Sequence, residues 1–218
     1  MRDAQAKASG RPLLIGLSGP IGCGKSTVGR MLTQAGGRLI DADDLAREVT
    51  ADGEEALADI RRRFGDTVFN GAELDRAALA SLVFVDAAAL RDLEAIVHPR
   101  VRRRVEAELV RAREDGVSLV ALEAIKLVEG GLAERCDEVW IVDCAPEVQR
   151  ARLAARGMPA ADVARRLAAQ GDDMSGRLAR LLEGRVATRF VSTAGTLDET
   201  RRLVTAALEE AVTRYRGG

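Results

Sequence analysis

The stretch GPIGCGKST, residues 19 to 27, constrains the fold more than any other part of the chain. It matches G-x-x-x-x-G-K-[ST] without a gap: Gly19, four residues, then Gly24, Lys25 and Ser26. The apolar run PLLIGLS (12–18) precedes it and VGRMLTQAGG follows it. A strand, a tight loop and a helix with a glycine stop therefore come in the order that a phosphate-binding loop needs. Glycines let the backbone curl until several N–H groups point inward, and the helix adds the positive end of its dipole. Gly22, Cys23, Gly24, Lys25, Ser26 and Thr27 form the candidate seat for the phosphates of ATP. Lys25 is expected to reach the β- and γ-phosphates, and the Ser26 hydroxyl to ligate Mg²⁺. Lysine occurs only at positions 7, 25 and 126 in a chain whose cations are mostly arginine, so Lys25 is informative.

A chain of 218 residues can bury a real core and suits one globular domain with insertions. Its 47% apolar and 31% charged content is ordinary for a globular protein. The formal net charge of -1 gives no overall basic field for nucleic acid or an anionic membrane. No apolar run reaches the length of a membrane span. The cysteines, Cys23, Cys136 and Cys144, are odd in number and lack C-x-x-C spacing, which argues against a disulfide framework or a zinc site. With one of them inside the phosphate loop, a reducing and cytoplasmic location is expected. The opening MRDAQAKASGRP is polar and lacks a hydrophobic signal core, so residues 1–11 are expected to form a mobile tail.

Five apolar runs read as strands: 12–18, RLIDAD (38–43), VSLVALE (117–123), DEVWIVDC (137–144) and TRFVST (188–193). The central ones are continuously apolar, as strands covered on both faces are. Helical stretches separate them, which predicts an α/β fold with a five-stranded parallel sheet covered by helices. Ligands in such sheets sit at the carboxyl ends of the strands. The chain from 12 to 218 reads as a single kinase-like domain with core segments 12–44, 116–145 and 187–218. Residues 45–115, rich in Ala, Arg and Glu, exceed what one crossover needs and look helical throughout. That insertion is the candidate acceptor-binding region. A second helical excursion, 146–186, carries Arg150, Arg152, Arg156, Arg165 and Arg166 and suits a lid over ATP.

Acids follow the strands. DADD begins as the second strand ends, and in extended chain Asp41 and Asp43 point the same way. Asp43 reads as the base for an acceptor hydroxyl, and Asp41 as an acid holding Mg²⁺ through water. The same run also suits a helix N-cap, with Asp43 or Asp44 capping LAREVT. Glu123 ends VSLVALE, where it is either a Mg²⁺ acid or an ordinary strand-end carboxylate. His98, the only histidine, precedes Pro99, and proline suits the first position of a helix. A helix starting there would aim His98, Arg100 and backbone N–H groups at an anion, while Arg102 to Arg104 suit a solvated face.

As a set these residues resemble the dephospho-coenzyme A kinase family. The resemblance is carried by IGLSGPIGCGKSTVGRML, GGRLIDADDLAREV, LEAIVHPRVRRRV, EAIKLVEGGLAERCDEVWIVDCAPEVQRARLAARG and VARRLAAQ, in the family's order from about residue 12 to 170. The pairing of DAD after the second strand with HP before a basic helix is its most specific part. The resemblance implies ATP-dependent phosphorylation of the ribose 3′-hydroxyl of dephospho-coenzyme A, the last step of coenzyme A synthesis. It implies that Gly22 to Thr27 hold the ATP phosphates and that Asp43 is the base. It places the 45–115 insertion around dephospho-coenzyme A. It also makes Arg150 to Arg156 part of the lid, with Arg152 or Arg156 stabilising charge on the moving phosphoryl group.

The chain departs from the family in places. IKLVE (125–129) stands where many members read PLLFE, so that Lys126 either touches a substrate phosphate or lies at the surface. After Gln170, Thr188 stands where an acid is common and Thr193 where asparagine is common. The rival readings are another small-molecule kinase of this fold, acting on a nucleoside monophosphate or a sugar, and a non-catalytic ATP-binding protein. A regulatory GTPase needs N-K-x-D, and no NK occurs. The expected state is a monomer or a small homo-oligomer.

Overall fold

The computed structural model describes residues 11–171 and 173–217. Its elements begin with β1 (Leu13–Ser18), α1 (Lys25–Gln34), β2 (Arg38–Asp41), α2 (Ala42–Glu48) and α3 (Glu55–Phe64). Two short strands follow, β3 (Phe69–Asn70) and β4 (Glu73–Leu74), then α4 (Arg76–Val85), α5 (Ala87–Glu114) and β5 (Leu119–Glu123). The chain continues through β6 (Glu138–Asp143), α6 (Pro146–Ala155), α7 (Ala160–Gln170), α8 (Met174–Leu182), β7 (Ala187–Ser192) and α9 (Leu197–Gly217). Two compact units result. One runs to Ile40 and resumes at Leu109; the other is Asp41–Glu108.

The first unit holds the sheet, in the order β2-β5-β1-β6-β7. Strand β1 is parallel to both β5 and β6, and β6 is parallel to β7. All six residues of β1 are buried, which is why LLIGLS reads as an unbroken apolar run. Leu13, Ile15 and Leu17 pack with Val28 and Leu32 of α1 and with Val204, Ala207 and Ala211 of α9. On the alternate side, a Cβ at Gly16 would come within 2.8 Å of both Cys136 Sγ and Leu127 Cδ2, so the strand needs glycine there. Glu138, buried at the start of β6, accepts from Arg189 Nε and Arg214 Nη1, both at 2.7 Å. That satisfied charge ties β6 to β7 and α9. The tail expected over residues 1–11 lies outside the described residues except for Arg11, whose guanidinium is 2.7 Å from Asp137.

The second unit has its own core. Ala56, Ile60 and Phe64 recur every four residues along α3 and pack with Val68, Phe69, Leu79 and Ala89. The insertion is not helical throughout. Phe69 pairs with Leu74 and Asn70 with Glu73 in an antiparallel hairpin, and Gly71 adopts φ +65 in its turn. Nor does a helix begin at Pro99, which lies inside the continuous α5. Pro99 cannot donate a backbone hydrogen bond, but the neighbouring turn gains a donor from Arg100 Nη1, 2.8 Å from Ile96 O. The wider flanks, LRDLEA before it and RRRVEAEL after it, are rich in good helix formers, so the helix passes through.

Candidate active site

The loop after β1 folds as its glycines demand. Gly19, Gly22 and Gly24 have φ of +136, +79 and +90. At Gly19 a Cβ would be driven into the carbonyl of Val142, so no other residue fits. Gly24 is the N-cap of α1 and contributes no side chain to that cap, the arrangement in which helix N–H groups meet an anion. Lys25 is buried, with Nζ donating to Gly19 O at 2.8 Å and Pro20 O at 3.0 Å. Those carbonyls partly balance the ammonium and hold it inside the loop.

Ser26 and Glu123 meet. The parallel register sets Leu17 of β1 against Glu123 at the end of β5, and Ser26 Oγ donates to Glu123 Oε1 at 3.1 Å. Glu123 is 7% exposed. A hydroxyl and a carboxylate are hard oxygen donors, a set that fits Mg²⁺, which keeps several waters and takes substrate phosphate oxygens besides. This explains why a Mg²⁺ reading is compatible with the absence, among the described residues, of any cluster of three or more His, Cys, Asp or Glu.

Arg152 on α6 and Arg156 at its end line a cavity of about 350 Å³ together with Gly24 and Thr27 of the loop. Arg152 donates through Nη1 to Thr193 Oγ1 at 2.9 Å and through Nη2 to Thr193 O at 2.7 Å. The Thr193 hydroxyl in turn donates to Cys23 O at 2.7 Å. Thr193, noticed in the sequence only as a departure, thus joins the arginine to the loop. Lys126 is exposed after β5.

Two glutamines escaped sequence reasoning. Gln149 Nε2 donates to Ile21 O, and Ile21 N donates to Gln170 Oε1, both at 2.7 Å. They hold the two peptide groups flanking Ile21 from α6 and α7. The available signal was Gln149 standing four residues before buried Leu153, a polar residue on an apolar stripe. Gln149→Leu keeps the volume but leaves Ile21 O without this donor. It is expected to raise KM for ATP about three- to tenfold and to cost about 1–2 kcal/mol of stability. Steady-state kinetics and denaturant unfolding measure both.

The cysteine expectation is corrected as well. Cys23 and Cys144 form a disulfide across 121 residues, with Cα atoms 5.2 Å apart. Spacing along the chain could not show it, because the sheet brings the end of β6 to the loop. Cys136 is a free, buried thiol, pushed up to about 12 by that burial.

In the second unit, Asp41 is the cap of α2: its Oδ1 accepts from Asp43 N at 2.9 Å and Asp44 N at 3.2 Å. The expected cap was Asp43 or Asp44. Asp43, half-buried, stands on the first helical turn and not in extended chain, so strand alternation does not align it with Asp41. Asp44 is exposed and pairs with Arg47. His98 and Arg100 lie within α5, without the helix N-terminus expected beside them. Arg100 Nη2 is 2.6 Å from Asp59, whose carboxyl it holds below the ordinary carboxylate range. Arg104, on the solvated face expected for it, is 2.7 Å from Glu54.

Among the described residues no helix is long and apolar enough to cross a membrane. The family model CoaE, dephospho-CoA kinase, matches residues 13–181. A dephospho-CoA kinase of Moorella thermoacetica is 41% identical over 200 residues, covering 90% of this chain and 91% of that protein. One from Geobacter sulfurreducens is 43% identical over 160 residues, covering 72% of this chain and 81% of that protein. A solved structure from Thermus thermophilus, 35% identical, superposes with a TM-score of 0.75 over 92% of this chain and 98% of its own. The dephospho-CoA kinase of Campylobacter jejuni shares the fold, with a TM-score of 0.64 at 20% identity, over 91% of this chain and 96% of its own. With a phosphate loop, a Ser26–Glu123 pair and a family match over most of its length, the chain belongs to the dephospho-CoA kinase family.

Proposed function

We propose that this protein transfers the γ-phosphoryl group of ATP to the ribose 3′-hydroxyl of dephospho-coenzyme A, releasing ADP and coenzyme A. The carrying observation is the phosphate loop with Lys25 held inside it and Ser26 bonded to Glu123, in a chain matching this kinase family from residue 13 to 181. Phosphoryl transfer asks for positioning and charge neutralisation more than covalent chemistry. Residues 22 to 27 seat the phosphates through backbone N–H groups, and Lys25 neutralises the charge on the β- and γ-oxygens. Ser26 and Glu123 would hold Mg²⁺, with Asp41 as a water-mediated alternative; once bound, the ion would supply charge neutralisation at the phosphates. The Asp43 carboxylate takes the proton of the 3′-hydroxyl as that oxygen attacks phosphorus in line. Arg152 or Arg156 donates to the phosphoryl oxygens in flight.

The 45–115 insertion serves the acceptor, with His98 and Arg100 on that side, and the 146–186 region acts as the lid. Under this reading the protein is expected to work in the cytoplasm. Measured by ADP release, kcat/KM for dephospho-coenzyme A should exceed that for AMP or gluconate by about 10²-fold or more. Equal turnover of a nucleoside monophosphate would replace this reading with that of another kinase. Glu123→Gln tests the metal side. The Mg²⁺ concentration for half-maximal rate should rise about tenfold, with KM for dephospho-coenzyme A unchanged.

A further inference from the structure

We infer that Cys23 and Cys144 form a thiol–disulfide exchange site that sets the affinity of the phosphate loop for ATP, with low-molecular-weight thiols and disulfides as its reaction partners. The inference rests on the reading of residues 22–27 as the ATP phosphate site. Cα atoms 5.2 Å apart lie within the span of a disulfide, so the pair closes without moving the backbone. Cys23 stands between Gly22 and Gly24, both at positive φ, and its N–H donates to Pro20 O at 3.4 Å. Cys144 directly follows β6, a strand held between β1 and β7. The bond therefore fastens the middle of the loop to the carboxyl end of β6, while the curl of the loop and the Lys25 bonds to Gly19 and Pro20 are in place.

A loop already held in its curled form has less freedom to lose when phosphates bind, so the disulfide form binds ATP more tightly. Linkage is reciprocal: bound ATP favours the disulfide by the same factor. Cys23 is fully buried and Cys144 half-buried, so exchange enters at Cys144. On oxidation, the Cys144 thiolate attacks one sulfur of a small disulfide RS–SR and expels RS⁻. The Cys23 thiolate then attacks Cys144 Sγ of the mixed disulfide and expels the second RS⁻. Two protein thiols lose two electrons to the small disulfide, and their two protons end on the two RSH released. Cys136, buried and donating its S–H to Leu132 O at 3.5 Å, stays outside this exchange. Disulfides of cytosolic proteins are commonly transient or sensing ones, which suits a pair of this kind.

The test uses the full chain equilibrated with glutathione buffers of graded redox poise. Alkylation and mass spectrometry count free thiols, and calorimetry measures Kd for Mg-ATP at each poise. Two thiols should be lost together while Cys136 remains alkylated after unfolding. Kd should be about three- to tenfold lower in the disulfide form. Cys144→Ser and Cys144→Ala should both bind ATP like the reduced protein at every poise. Three free thiols at the most oxidising poise, or equal Kd in the two forms, would overturn the proposal. Absence of ATP binding in both forms would overturn it too, by removing the phosphate site on which it rests. Loss of dephospho-coenzyme A turnover with ATP binding intact would strike only the acceptor assignment.

Discussion

Asp43→Asn should lower kcat by about 10²- to 10⁴-fold while leaving Kd for Mg-ATP within about twofold. The split is diagnostic because the proposed ATP seat is residues 22–27, whereas Asp43 stands on the first turn of α2. Asparagine is close to isosteric and cannot take a proton, so the helix start survives. Asp41, not Asp43, caps it, through Oδ1 to two backbone N–H groups. A merely structural carboxylate at position 43 would instead lower stability and rate together. Rapid-quench kinetics beside calorimetric ATP binding would separate the two cases.

Lys25→Ala is the other large effect. It should lower kcat/KM for ATP by about 10²- to 10³-fold, the scale seen when one preorganised charge stabiliser is lost. Here, unlike Asp43→Asn, ATP affinity should fall with the rate. Lys25 is 8% exposed, and its ammonium is held by the Gly19 and Pro20 carbonyls. Removing it leaves two loop acceptors without this donor as well as the phosphates without a counter-charge. Competition binding with ADP and ATP reads the affinity. Lys25→Arg should restore little, since a planar guanidinium does not fit the site of a compact ammonium.

The parallel sheet was largely legible because buried strands on both faces must be apolar without interruption. LLIGLS and EVWIVD announce themselves in that way, and each strand lies within about two residues of its expected limits. The phosphate loop was legible for a different reason: its positive-φ positions accept almost nothing but glycine, so the spacing survives in the letters. The hairpin at 69–74 was hidden by the Ala, Arg and Glu richness around it, although Asn70-Gly71 is a turn signal. Pro99 misled because its preference for a helix start is real, yet a long helix with strong formers on both sides tolerates one missing donor.

The supports of the site were the least legible. Gln149, Gln170 and Thr193 act on the loop from 128, 149 and 170 residues away in sequence. Their role depends on where the sheet and helices bring them, and no local pattern records that. The Cys23–Cys144 pair is of the same kind. By contrast Ser26 and Glu123 each sit at a strand or helix end, where the topology of a parallel sheet tells in advance which residues converge.

The most direct test is phosphorus NMR of the purified protein with Mg-ATP and dephospho-coenzyme A. A new 3′-phosphomonoester resonance, growing in step with ADP and absent with Asp43→Asn, is the predicted result. ATP bound but no such resonance, or phosphate delivered to a different hydroxyl, would contradict the assignment of dephospho-coenzyme A as the acceptor.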